Sequence, residues 1–312
     1  LTYKKTGIPF SFTGHSLGAQ KLDKLGTTTD NWLSMDNRFK FSKRLAAERI
    51  SMKYAAKIMV STQQEMDEQY AHPIYTSALE QVDKKKFEII PPGVNENIFS
   101  QTAAPTDRTF KQKLDAINGI NRKPVILVSS RLDEKKNIIG VVKAYLENSE
   151  LNKRADLVLC FRGINDPAAD ILKLSNEEQI VLRKILKIIE LGHIQEYVHF
   201  LNIGSQLELA ATYRYFAQRG SVFALTSLYE PFGLAPLEAA ATGLVPVVTK
   251  NGGPSEIFSD GSGVLVDPTS SKNISRGLID GLNRYSEISK NAMQLVKEKY
   301  CLLYTSDAAD DP

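Results

Sequence analysis

The sequence predicts an α/β chain in which short parallel strands are wrapped by helices and gathered into two domains. Three observations carry this prediction. Short apolar runs rich in β-formers alternate with longer stretches of 3.6-residue periodicity almost throughout, the pattern of buried parallel strands joined by crossover helices. The length of 312 residues suits two domains of ordinary size. The alternation is interrupted once, where Pro91-Pro92-Gly93 leads into a polar stretch over residues 97–121.

The elements follow in order. Residues 8–13 read as a strand feeding a turn at Gly14, and residues 20–25 and 41–55 read as helices. Strands over 57–61 and 87–90 close a first domain, residues 1–95, which is short for a doubly wound sheet and so is expected to lack N-terminal strands. Residues 96–121 are assigned as a linker. Strands over 125–129, 157–161, 198–201, 222–226, 245–249 and 264–266 build a second domain across residues 122–300, with a helix over 180–191 among them. From Cys301 to Pro312 the helical face is lost, and this tail is expected to be disordered or foreign to the protein.

Composition narrows the function. Apolar residues at 42% and charged residues at 24% describe a globular protein and exclude a disordered chain. Lys and Arg number 39 against 36 Asp and Glu, a net +3 that is too small for a nucleic-acid surface. Three of the acids lie in the last twelve residues, leaving +6 on the rest, a balance suited to an anionic small molecule. Two cysteines, Cys160 and Cys301, exclude a disulfide framework. No apolar segment approaches the ~20 residues that a membrane helix needs, and no secretory signal opens the sequence. A cytoplasmic protein is expected, with neither nucleic acid nor membrane as partner.

Four constellations could carry chemistry. Gly14-His15-Ser16-Leu17-Gly18 matches the Gly-x-Ser-x-Gly nucleophile elbow and sits between a strand and a helix. On that reading Ser16 is a hydrolase nucleophile, yet only a short run precedes it where the oxyanion loop should be. Ser130-Arg131-Leu132-Asp133-Glu134-Lys135-Lys136-Asn137 follows a strand, where open α/β sheets bind ligands. The planar fork of Arg131 and the compact charge of Lys136 can together hold a diphosphate. Tyr229-Glu230-Pro231-Phe232-Gly233-Leu234-Ala235-Pro236-Leu237-Glu238 runs from a buried strand into a helix, where free amides near Gly233, Leu234 and Ala235 form an anion site. Glu230 can accept from sugar hydroxyls and Glu238 from a ribose. Asn251-Gly252-Gly253-Pro254 again follows a strand, and its glycines allow close approach to a ligand. No Gly-x4-Gly-Lys-Ser/Thr loop, Gly-x-Gly-x-x-Gly fingerprint or Asp-x-Asp occurs, and the four histidines show no metal-ligand spacing. Neither a cofactor nor a metal is expected.

Together these residues resemble the retaining GT-B glycosyltransferases of the sucrose synthase and glycogen synthase kind, and among them the sucrose-phosphate synthases. The likeness spans residues 1–300 and rests on four stretches in the family's order: Phe12-Thr13-Gly14-His15-Ser16-Leu17-Gly18, Ile90-Pro91-Pro92-Gly93-Val94-Asn95, and the segments around Arg131 and Glu230. The Glu-x7-Glu element fixes the broad class, and Gly-His-Ser-Leu-Gly-Ala-Gln-Lys, ending at Lys21, points to the sucrose-phosphate branch. The resemblance implies GT-B architecture, two Rossmann-like domains with parallel sheets, and transfer of glucose from UDP-glucose to fructose 6-phosphate. Carried over, Arg131 and Lys136 hold the donor diphosphate, with Gly233, Leu234 and Ala235 beside it. Glu230 binds the donor sugar, Glu238 the ribose, and His15 stands beside the transferred glucose. Lys21 and Arg44 grip the acceptor phosphate. The same resemblance admits a mannosylfructose-phosphate synthase or a silent sugar-nucleotide-binding module. The early acceptor loop and the final helix of the family are missing from the sequence, so this chain is expected to keep the donor site without catalytic competence.

Overall fold

The computed structural model describes residues 5–14, 17–79, 84–118 and 123–302. It divides into two compact units, Leu1–Pro91 and Pro92–Pro312. Among the described residues, all nine expected strands form, with ends shifted by at most a few residues.

The first unit holds a parallel sheet of β1 (Ser11–Thr13), β2 (Lys57–Val60) and β3 (Phe87–Ile89), in that order. Its longer α-helices are α1 (Gly18–Lys24), α2 (Trp32–Phe39) and α3 (Phe41–Tyr54). Phe41, Leu45 and Met52 mark the buried stripe of α3, and they join Leu17, Leu22, Ile58, Tyr70 and Tyr75 in one core. The corner between α2 and α3 is fixed by Asp36, whose carboxylate accepts from the Ser42 amide at 2.6 Å and the Ser42 hydroxyl at 2.8 Å. Those hydrogen bonds hold its pKa below the usual carboxylate value.

The second unit is a six-stranded parallel sheet in the order β6-β5-β4-β7-β8-β9. The strands are β4 (Val125–Ser129), β5 (Asp156–Phe161), β6 (Val198–Asn202), β7 (Val222–Leu225), β8 (Val245–Thr249) and β9 (Val264–Val266). Period-two alternation sends Ile126, Val128, Leu157, Leu159, Val222 and Val247 into one core, and Val125, Leu127, Val158, Phe223 and Val248 into the other. Both faces are therefore apolar, and both carry helices. On the first face pack α5 (Ile138–Leu146), α6 (Ser149–Arg154), α7 (Asn176–Leu191) and α11 (Ser271–Asn283). On the second pack α4 (Pro105–Asn118), α8 (Gln206–Ala217), α9 (Leu234–Ala241), the short α10 (Gly253–Ile257) and α12 (Tyr285–Lys299).

Two stretches differ from expectation. Residues 96–121, read as a linker from their polarity, contain α4, whose Phe110 and Leu114 are buried in the second core. Arg214 on α8, itself 5% exposed, explains the attachment: its guanidinium forks onto Asp107 of α4 (2.7 and 3.0 Å) and donates to the Ile98 carbonyl at 2.9 Å. A polar-looking helix of fourteen residues is thus held by a buried cation. At the other end, Cys301 is buried and Val94 exchanges backbone hydrogen bonds with Tyr300 and Leu302 (2.6 and 3.1 Å). The expected tail beyond Leu302 lies outside the described residues. Among the described residues no helix is long and apolar enough to cross a membrane.

The Arg214–Asp107 fork yields a prediction. Burial raises the Asp107 carboxyl pKa, but the Arg214 hydrogen bonds outweigh it and hold the group below its ordinary value. Its contribution to stability is therefore full above the unfolded carboxylate pKa and is lost as pH falls through the lowered folded value. Asp107→Ala leaves a buried guanidinium uncompensated and should cost about 3 kcal/mol at pH 7, read by urea unfolding. A loss below about 1 kcal/mol would show that the pair does not hold α4 in place.

Candidate active site

Strand order fixes where a ligand can sit. The chain steps from β4 outward to β5 and β6, then returns to the other side of β4 with β7. The crevice outside the carboxyl ends of strands at such a reversal is where open α/β sheets take their ligands. Three loops meet there, following β4, β7 and β8.

The first loop is held by its own polar side chains. The Asp133 carboxylate accepts from the Lys135 amide at 2.9 Å and starts the 3-10 turn Glu134–Lys136. Asn137 closes that turn with φ of 53°, and its side-chain amide donates to the carbonyls of Thr226 (3.0 Å) and Pro268 (2.7 Å). The Leu228 amide in turn donates to the Lys135 carbonyl at 2.9 Å. These bonds tie the loop after β4 to the loop after β7. Within them the Lys136 ammonium donates to Glu230 Oε2 at 2.7 Å, and the Ser227 hydroxyl donates to the same oxygen at 3.2 Å. The Glu230 side chain is only 13% exposed, so this ion pair is partly desolvated.

The third loop lies directly against the second. The Glu230 amide donates to the Asn251 carbonyl at 3.1 Å, and the Gly253 amide donates to the Glu230 carbonyl at 2.9 Å. Gly252 has φ of 98°, and a Cβ there would lie 2.1 Å from the Glu230 carbonyl oxygen. A Cβ on Gly253 would lie 2.6 Å from the Pro231 carbonyl oxygen. The sequence reading gave these glycines to a ligand. In the fold they admit the backbone of residues 230–232, and so they position Glu230.

The start of α9 falls where the sequence places it. Gly233 caps the helix with φ of 103°, and no side chain caps it. The first-turn amides of Leu234 and Ala235 have no acceptor within the helix. Arg131 is exposed, and its guanidinium makes no hydrogen bond or ion pair among the described residues. The structure thus carries Arg131, Lys136, Glu230, Gly233, Leu234, Ala235 and Glu238 on two loops and one helix of a single unit. The two glutamates have different surroundings. Glu230 is paired with Lys136, whereas Glu238 is largely desolvated on α9, and burial pushes its pKa up to about 7. They are suited to separate tasks rather than to a matched acid–base pair.

The first unit carries the other predicted residues. The Lys21 ammonium on α1 stands 4.5 Å over the Phe39 ring, and Arg44 Nε on α3 donates to Glu48 at 2.9 Å. Both Glu48 oxygens also accept from the Gly18 amide (2.9 and 3.0 Å), which anchors the start of α1. His15 and Ser16 lie outside the described residues, and the hydrolase reading built on Ser16 lies there with them.

Two cavities were missed. A cavity of about 310 Å³ beside Arg131 is lined by Ser129, Cys160, Arg162, Glu178 and Ile203, and a second of about 720 Å³ by Arg131, Asp133, Lys135, Glu177 and Leu228. Arg162 follows β5 directly, so the rule that singled out Arg131, a cation at the carboxyl end of a parallel strand, also finds it. Among the described residues, no three His, Cys, Asp or Glu side chains converge to hold a metal.

Comparison with known proteins agrees with this geometry. Residues 110–299 match the model of the family described as glycosyl transferases group 1. The chain is 39% identical over 298 residues to a probable sucrose-phosphate synthase of Thermosipho melanesiensis, covering 95% of this chain and 62% of that protein. It is 30% identical over 346 residues to sucrose-phosphate synthase 4 of Arabidopsis thaliana, covering 96% of this chain and 32% of that one. The chain therefore spans less than two thirds of the length of these relatives. Among solved structures, the sucrose-phosphate synthase of Thermosynechococcus elongatus superposes with a TM-score of 0.67 at 21% identity, over 96% of this chain and 66% of that one. Anabaena HepE, solved in complex with UDP-glucose, superposes with a TM-score of 0.68 at 16% identity, over 99% of this chain and 72% of that one. With two parallel α/β sheets, these GT-B neighbours and a family match over more than half its length, the chain belongs to the group 1 glycosyltransferases.

Proposed function

We propose that this protein transfers glucose, with retention of anomeric configuration, from UDP-glucose to fructose 6-phosphate, giving sucrose 6-phosphate and UDP. The observation that carries the reading is the cluster of two cations, Arg131 and Lys136, and uncapped helix amides at the sheet reversal. It is a site for two adjacent phosphates. The identity to probable sucrose-phosphate synthases supports the acceptor, and the HepE neighbours solved with UDP and UDP-glucose support the donor.

In this reading Arg131 forks onto the diphosphate and Lys136 meets it as a point charge, while the amides of Gly233, Leu234 and Ala235 complete the cradle. Glu230, already fixed through Gly252 and Gly253, accepts from hydroxyls of the donor sugar. Glu238 accepts from the ribose, and His15 is assigned to the transferred glucose by the family resemblance alone. Lys21 and Arg44 hold the acceptor phosphate. As the bond from glucose to the β-phosphate oxygen breaks, negative charge accumulates on the departing UDP. Preorganised cations and the α9 dipole stabilise that charge, with no metal or cofactor assigned a part.

The longest natural polypeptide containing this sequence should form sucrose 6-phosphate from UDP-glucose and fructose 6-phosphate. Hydrolysis of UDP-glucose without transfer, or transfer only to another acceptor, would overturn the assignment. Arg131→Ala and Lys136→Ala should each lower kcat/KM by about 10²–10³-fold, the scale for losing one preorganised group that stabilises transition-state charge. A loss below tenfold would remove both residues from the diphosphate site.

A further inference from the structure

The two oxygens of the Glu230 carboxylate are unequally used. Oε2 accepts from the Lys136 ammonium at 2.7 Å and from the Ser227 hydroxyl at 3.2 Å, while Oε1 accepts from no described residue. The two donors differ in kind. Lys136 lies on the loop after β4 and, in the proposed function, turns to the phosphates. Ser227 lies two residues beyond β7, is 0% exposed, and is closed to solvent. Its backbone is pinned on both sides. The Asn137 side chain donates to the carbonyl of Thr226 at 3.0 Å, and the Thr226 hydroxyl donates to the Asn137 carbonyl at 3.3 Å. The Leu228 amide donates to the Lys135 carbonyl at 2.9 Å. Glu230 is pinned in turn, its amide on the Asn251 carbonyl (3.1 Å) and its carbonyl under the Gly253 amide (2.9 Å). Both ends of the Ser227–Glu230 bond therefore stand on fixed backbone, and the bond does not depend on Lys136.

We propose that Ser227 is a positioning residue for the donor sugar: its hydroxyl keeps hold of Glu230 Oε2 when the diphosphate draws Lys136 away, which leaves Oε1 for a sugar hydroxyl. The inference rests on the reading of Glu230 as the acceptor for the donor sugar. An ionised carboxylate only accepts, so its orientation is set by the donors around it. With Lys136 on the phosphates, Ser227 is the one donor among the described residues still on that carboxylate. Without Ser227 the sugar itself would have to order the side chain, and that ordering would weaken binding. The contacts assigned to the diphosphate run through Arg131, Lys136 and the first amides of α9 and do not involve Ser227. Its effect therefore belongs to the sugar and not to the nucleotide, a distinction that a residue merely shaping the loop would not make.

The test is the pair of dissociation constants for UDP and UDP-glucose, measured by calorimetry on the full chain for the wild type, Ser227→Ala, Glu230→Gln and the double variant. In Ser227→Ala, UDP affinity should stay within about twofold of the wild type and UDP-glucose affinity should fall about tenfold, the scale of one hydrogen bond to a charged group. In the Glu230→Gln background Ser227→Ala should leave the ratio of the two constants unchanged. Should the alanine variant not fold, Ser227→Cys, with its weak thiol donor, should show the same selective loss. Wild-type affinity for UDP-glucose, an equal loss for both ligands, or the same selective loss in the Glu230→Gln background overturns the inference while leaving the donor site standing. A wild-type ratio in Glu230→Gln overturns the reading of Glu230, and failure of the wild type to bind UDP overturns the donor site. In either case the inference falls with it.

Discussion

Everything at the site depends on the reversal of strand order at β4. Six parallel strands with apolar side chains on both faces must be covered by helices on both sides, and every connection must cross over. Sending β5 and β7 to opposite sides of β4 separates the loops that leave their carboxyl ends and opens a crevice between them. The helices that follow β4 and β7, α5 and α9, start at its rim. A sheet with β4 at its edge would carry the same loops and offer no such crevice.

Inside the crevice, close backbone approach does the work of rigidity. Gly252 and Gly253 let the loop after β8 hydrogen-bond to the backbone of Glu230, and Asn137 pins the loop after β4 to Thr226 and Pro268. The charged side chains are therefore presented from a fixed frame. Lys136 and Glu230 satisfy one another at 2.7 Å, while Arg131 faces solvent. A partly buried pair of this kind contributes little net stability, because desolvation offsets most of the attraction. On the proposed function, exchanging its partners for a diphosphate and for sugar hydroxyls would accordingly cost little.

Much of this was legible in the sequence for reasons that can be named. Buried parallel strands are continuous apolar runs, so β4 to β9 could be read directly, and Arg131 and Lys136 stood out because cations just after such strands are at the ligand-binding edge. The 97–121 stretch was misread because the feature that makes α4 a packed helix, the fork from Arg214 onto Asp107, joins residues 107 positions apart. Local polarity carries no trace of a distant partner. The glycines of the loop after β8 were recognised as permitting close approach, but what they approach is again set by a segment about twenty residues earlier.

The central claim is that the site is built for the diphosphate and that the nucleoside adds to it. Its most direct test is a calorimetric comparison of UDP, UMP and uridine binding to the chain at one ionic strength. Affinity is predicted to rise steeply from uridine to UDP, by well over tenfold, and to weaken with added salt as cation–phosphate contacts are screened. Uridine binding as tightly as UDP, with no dependence on salt, would place the binding energy in the base pocket and contradict the account.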